Sequence, residues 1–304
     1  MKKCPQLHFH FGAHKTATTY MQSLLRNNRK VLLENGICVV DLWGRFDKYA
    51  EFRRLAMRAM WPDDPALEDI EKLKRILVEQ FHASENHDEN RVIDTYIISF
   101  ENIIGSYHLS NTMGIYPNAA RAVRMISETF PQLPLKAFFS IRSFDRFIES
   151  CYLQSVYTQK EHRPFREFYR DVRRTDLSWV DSLKAIVNVV GDENIVVWTY
   201  ETFRKSEERI WRELLRVPET AQLLLRPASR SNTSMSEKGV EFMRAINQVG
   251  PPTAAKKFRR IIKHKFSTGT GDDAPRLLRK SERTKLQDLY AAELRTITQS
   301  FDLL

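Results

Sequence analysis

The stretch from Leu7 to Gln22 constrains this chain more than any other. Leu7, Phe9 and Phe11 alternate with His8 and His10 as a buried strand does, and Met21, Leu24, Leu25, Val31 and Leu32 then recur at helical spacing. Between strand and helix stand Gly12, Ala13, His14, Lys15, Thr16, Ala17, Thr18 and Thr19. A glycine, a lysine and three threonines at a strand-to-helix turn read as a phosphate-binding loop, because a helix start offers free backbone N–H groups and a positive dipole end. The triphosphate loop G-x-x-x-x-G-K-[ST] is not reproduced. His14 occupies the position before Lys15 where that loop requires its second glycine.

A second element lies far along the chain. Leu135 to Ile141 reads as a strand that Arg142 ends, and Ser143 to Ser150 starts a helix with Ser143 as its expected N-cap. A guanidinium at a strand tip presents a fork suited to phosphate, and a serine on the second helical turn adds a hydroxyl donor.

Together these residues resemble the sulfotransferases that use 3′-phosphoadenosine 5′-phosphosulfate (PAPS). Lys15-Thr16-Ala17-Thr18-Thr19 is similar to that family's P-K-[ST]-G-T-T loop, with Ala17 at the usual glycine and His14 where many members have proline. Arg142 and Ser150 reproduce its 3′-phosphate element, an arginine at a strand end and a serine eight residues later. Arg230-Ser231-Asn232-Thr233-Ser234 is like the R-x-N-x-S segment of bacterial and carbohydrate sulfotransferases, and Ile97-Ile98-Ser99-Phe100-Glu101-Asn102 is like their S-S-E-N element.

The resemblance implies a P-loop-like α/β fold and PAPS as donor, with no metal required. It implies donor binding by Gly12 through Tyr20, with Tyr20 where related enzymes place an adenine-stacking aromatic, and by Arg142, Ser150 and Arg230. Lys15 is expected to stabilise charge on the leaving phosphate. Sulfuryl transfer is an in-line displacement, so positioning and electrostatics should supply most of the rate. The base for the acceptor is either Glu101, if its pKa is raised, or His14, whose ordinary pKa suits proton transfer at neutral pH. His108 is a remote third candidate, and His8 and His10 read as core residues.

The rest of the sequence agrees with one domain over residues 1–304. Of 304 residues, 42% are hydrophobic, enough for a sizeable core, and no repeat or long Gly/Ser/Pro linker interrupts them. Short strands at Ile37–Val40, Asp94–Phe100, Lys136–Ile141 and Asn194–Thr199, separated by helical patterns, argue for a parallel central sheet flanked by helices. From about residue 202 the pattern is helical to the end. Three scattered cysteines suggest neither a disulfide framework nor a zinc site, and the N-terminus lacks the apolar run of a signal peptide, so a cytoplasmic location is expected.

The formal charge of +10 favours anionic partners: PAPS, an acidic glycan, lipid headgroups or nucleic acid. Nucleic acid is not expected, because no reading motif accompanies the charge. The basic run from Lys256 to Lys265 is either a solvated helix face, the commoner case, or a surface for an anionic acceptor or a membrane. The acceptor is expected to be a hydroxyl or amino group of a glycan or glycolipid. This follows from the glycan-type resemblance and the lack of the glycine-rich C-terminal element of cytosolic small-molecule sulfotransferases. Two other readings stand beside it: a nucleoside-triphosphate-dependent phosphotransferase, which lacks both the second glycine and a strand-end aspartate for Mg²⁺, and a non-enzymatic binder of anionic partners.

Overall fold

The computed structural model describes residues 4–42, 46–60, 65–85, 92–105, 114–158, 161–218, 234–250, 258, 259, 261, 262, 264–268, 274–301, 303 and 304, and of 46–49 the backbone alone. Five parallel strands, β1 (Gln6–His10), β2 (Ile37–Val39), β3 (Thr95–Ser99), β4 (Leu135–Ile141) and β5 (Ile195–Thr199), form one sheet in the order β2-β3-β1-β4-β5. The α/β class and parallel sheet expected from sequence are therefore present.

Crossover direction explains the layers. Only the step from β1 to β2 runs toward one edge; the steps from β2 to β3, β3 to β4 and β4 to β5 all run the other way. Because parallel crossovers keep one hand, the two directions place their helices on opposite faces. Helix α1 (Thr18–Asn27) accordingly packs on one face, with Met21, Leu24 and Leu25 against Ile97, Phe138 and Trp198. Short α2 (Arg29–Glu34) follows it.

The other face carries α3 (Phe46–Met60), α4 (Leu67–Ser84), α5 (Ala119–Thr129), α6 (Phe144–Tyr157), α7 (Phe165–Val172) and α8 (Trp179–Val190) around the larger core. After β5, α9 (Phe203–Leu215) returns to the α1 face. Helices α10 (Glu237–Val249) and α11 (Lys280–Ser300) join the larger one.

Strand alternation is consistent with this arrangement. Leu7, Phe9 and Phe11 enter the larger core, so His8 and His10 project toward α1 and α9. Both imidazoles are buried; His8 Nδ1 bonds Leu214 O at 2.8 Å, and His10 Nδ1 bonds Ser99 Oγ at 2.8 Å and stacks on Trp198. The C-terminus covers the edge strand, Leu304 N–H donating to Val197 O at 2.9 Å.

One local expectation is corrected. Ser143 holds the N-cap position of α6, but its hydroxyl makes no capping bond. Its N–H instead donates to Glu201 Oε1 at 3.1 Å, a carboxylate just past β5.

Candidate functional site

Gly12, Glu101 and Arg142 follow β1, β3 and β4, so these three sequence-derived candidates stand at the carboxyl edge of the sheet, where parallel α/β sheets bind ligands. The β1–α1 loop is held by β4. Ala13 N–H donates to Ser140 O at 2.9 Å, and Thr16 Oγ1 lies 2.5 Å from both Ala13 O and Ser140 Oγ. Gly12 is glycine for the same reason: a Cβ there would stand 2.2 Å from Ser140 Oγ. Thr16 is thus an internal brace, its hydroxyl turned into the loop.

Lys15 and Ala17 take left-handed backbone, with φ of 70° and 68°. The turn closes so that Tyr20 and Met21 N–H both donate to Ala17 O, and among the described residues the amides of Thr18 and Thr19 donate to no backbone carbonyl. The first turn of α1 therefore offers two unspent donors beside Lys15.

Arg142 and the loop are in direct contact. Its Nη1 donates to Lys15 O at 2.8 Å, and its guanidinium lies over the Tyr200 ring at 4.2 Å. Arg142 is 8% exposed, and its Nε meets no hydrogen-bond partner. Burial lowers its pKa, and the Tyr200 and Glu201 charges oppose that. Ser150 lies two turns into α6, partly exposed; the next residue, Cys151, is buried in the field of Lys15 and Arg142, though burial dominates and raises its thiol to about 12. Lys15 Nζ donates to Gln154 Oε1 of the same helix at 3.3 Å.

The two base candidates differ in environment. Glu101 opens a 3₁₀ turn directly after β3. Burial raises its pKa, opposed by its own amide, by Gln22 Nε2 donating to Oε2, and by the charges of Arg53 and Lys15. For His14, burial lowers the pKa to about 4, against the near-neutral value expected from its type.

The His14 ring is also held on both sides. The Tyr116 hydroxyl accepts the His14 N–H at 2.9 Å and lies 2.8 Å from Nδ1, while Nε2 lies 3.4 Å from Asn102 Oδ1. The tautomer consistent with this has Tyr116 O–H donating to Nδ1 and Nε2–H donating to Asn102.

Tyr20 is tethered as well. Its hydroxyl donates to Glu207 Oε1 at 2.7 Å, and its ring meets Phe203 edge-on. His108, Arg230 and most of the basic run, Lys256, Lys257, Arg260 and Lys263, lie outside the described residues. Sequence reasoning missed Gln22, Tyr116, Ser140, Gln154 and Tyr200. Only Ser140, a hydroxyl in an otherwise apolar strand tip, carried a local signal.

Among the described residues no three His, Cys, Asp or Glu side chains form a metal-ligating group, and no helix is long and apolar enough to cross a membrane.

The fold and site define an α/β protein with a cationic strand-edge loop. No protein-family model matches the chain, and no curated protein does. Among solved structures it is similar to a sulfotransferase from Alicyclobacillus acidocaldarius, at 15% identity over 83% of this chain and 98% of that one, with a TM-score of 0.43. A likeness at that distance assigns no activity.

Proposed function

We propose that the protein is a sulfotransferase that uses PAPS to sulfate a hydroxyl or amino group of a glycan or glycolipid. The observation that carries this reading is the Arg142–Lys15 contact, which puts a buried guanidinium and a helix-start loop with a lysine on one sheet edge. Such a pair suits a ligand with two anionic groups. When bound, PAPS supplies an activated sulfuryl group.

The chain's own residues would do the rest. The Thr18 and Thr19 amides and the Lys15 ammonium would hold the 5′ end, and Arg142 with Ser150 the 3′-phosphate. Lys15 would balance charge that builds on the leaving group. Glu101 would take the acceptor's proton, since its raised pKa brings a carboxylate nearer to neutrality. In this reading His14 positions the loop, both ring nitrogens being engaged.

Titration calorimetry with 3′-phosphoadenosine 5′-phosphate, the product of the donor, tests the binding half. Saturable binding is expected, weakened about 10- to 100-fold in Arg142→Ala. Single-turnover transfer of labelled sulfate in the presence of a chelator tests the chemistry: Glu101→Gln should slow it by about 10²–10⁴-fold, and His14→Asn far less. Binding only of a Mg²⁺–nucleoside triphosphate, with no transfer in chelator, would make the protein a phosphotransferase instead.

A further inference from the structure

Helix α1 packs on the sheet through Met21, Leu24 and Leu25, yet it also buries a glutamine, Gln22. A buried side-chain amide costs stability unless it is hydrogen-bonded. Gln22 Nε2 donates to Glu101 Oε2, a bond that crosses from α1 to the 3₁₀ turn after β3. A leucine at this position would serve the core; an amide there serves the carboxylate.

The unit that carries the β1–α1 loop holds Glu101 from both sides. Before the loop, β1 pins the main chain, Phe100 N–H donating to His10 O at 2.9 Å. After it, α1 pins the side chain through Gln22, about one helical turn beyond Thr18. Thr18 and Thr19, whose amides donate to no backbone carbonyl among the described residues, thus open the same turn that Gln22 closes.

We propose that Gln22 is a positioning residue: its amide aims the Glu101 carboxylate and ties it to the helix that starts at the donor loop. The inference rests on the role given to Glu101 above. A carboxylate accepts about four hydrogen bonds, and among the described residues Gln22 and the Glu101 amide supply two, so lone pairs remain for the proton of an acceptor hydroxyl or amine.

The bond also sets how readily that proton is taken. A hydrogen bond to the ionised carboxylate favours it, so Gln22 offsets part of the burial that favours the protonated form. The other groups facing Glu101 come from other elements: Lys15 from the loop, Arg53 from α3, whose neighbour Phe52 meets the Phe100 ring at 4.8 Å, and the Tyr116 phenol, whose ionisation the carboxylate opposes. His14 lies beside them, its Nε2 3.4 Å from Asn102 Oδ1. Substitution of Gln22 removes none of these.

Carboxyl ¹³C titration of the full chain, with the Glu101 signal assigned by its loss in Glu101→Gln, tests this without a reaction. Gln22→Met keeps the length of the side chain and removes the donor, and the Glu101 midpoint should rise by about one pH unit or more. Gln22→Glu should raise it further, since two carboxylates in contact do not both ionise, and it gives the same reading if the methionine variant does not fold. In single-turnover sulfate transfer by Gln22→Met, the acid limb of the pH profile should move up by the same amount and the plateau should fall about tenfold or more. Affinity for 3′-phosphoadenosine 5′-phosphate should stay within about twofold. An unmoved Glu101 midpoint, or a transfer profile with limb and plateau unchanged, overturns the inference. If the midpoint moves but the parent chain transfers no sulfate, the reaction proposed above falls while the hold of Gln22 on the carboxylate stands.

Discussion

Ala17 shares the backbone strain of the loop with Lys15. At φ 68° and ψ 13° its Cβ crowds the following carbonyl, at a cost of about 1–2 kcal/mol for an L residue. Glycine carries no such cost but loses more chain entropy on folding, so Ala17→Gly should stabilise the protein by about 0.5–1 kcal/mol. Ala17→Val should destabilise it by about 2 kcal/mol, since a β-branched residue is a genuine outlier at positive φ. Urea unfolding of both variants checks this, and a loss of stability in the glycine variant would mean that the turn carries no strain. The departure at residue 17 was visible in the sequence; the reason for Gly12 was not, because the Ser140 hydroxyl that excludes a Cβ comes from a strand 128 residues along the chain.

Strand β1 and its loop carry three buried imidazoles whose pKa values burial depresses: His8 to about 4, His10 to about 3 and His14 to about 4. Above the unfolded value of 6.5 these groups are neutral in both states and stability is unaffected. Below it the unfolded chain takes up protons that the folded chain refuses, so stability falls from pH 6.5 toward about pH 4. Each such proton contributes about 1.4 kcal/mol per pH unit, and three together approach about 4. Urea midpoints measured across this window should show that slope, reduced by about a third in His8→Gln; a flat profile would mean that the imidazoles are protonated in place. The same strand was legible because apolar alternation and helical spacing are local patterns. Helices α7 and α8 were not named from sequence. The β-branched run at the end of α8, Ile186 to Val190, reads equally as strand, and only packing of Trp179, Leu183 and Ile186 into the larger core decides it. The partners of the site were hidden for another reason: His14–Tyr116, Glu101–Gln22 and Lys15–Gln154 join residues 102, 79 and 139 positions apart.

At the scale of the whole molecule, the C-terminal helix supports the site from behind. Glu293 of α11 caps α8, accepting the Trp179 and Val180 amides and, at 2.8 Å, the Ser178 hydroxyl. Trp179 in turn donates its indole N–H to Arg142 O at 2.9 Å and stacks on Phe144. Tyr290 of α11 meets Phe144 edge-on and donates to Glu201, the carboxylate that holds Ser143 N–H. Arg142 and the two residues after it are thus held by a helix more than a hundred residues away. Glu293→Ala strips two helix-start amides of a charged partner and should cost about 2–4 kcal/mol. Because Trp179 would lose its fixed position, affinity for 3′-phosphoadenosine 5′-phosphate should fall about 3- to 10-fold in the same variant while it is still folded. Lys72→Ala, which breaks the exposed pair with Glu51, should leave both quantities within about 0.5 kcal/mol of the parent. Paired denaturant and calorimetric titrations separate the outcomes. A stability loss with unchanged affinity would confine α11 to holding the fold, whereas a joint loss would make the C-terminal helix part of the machinery that aims Arg142.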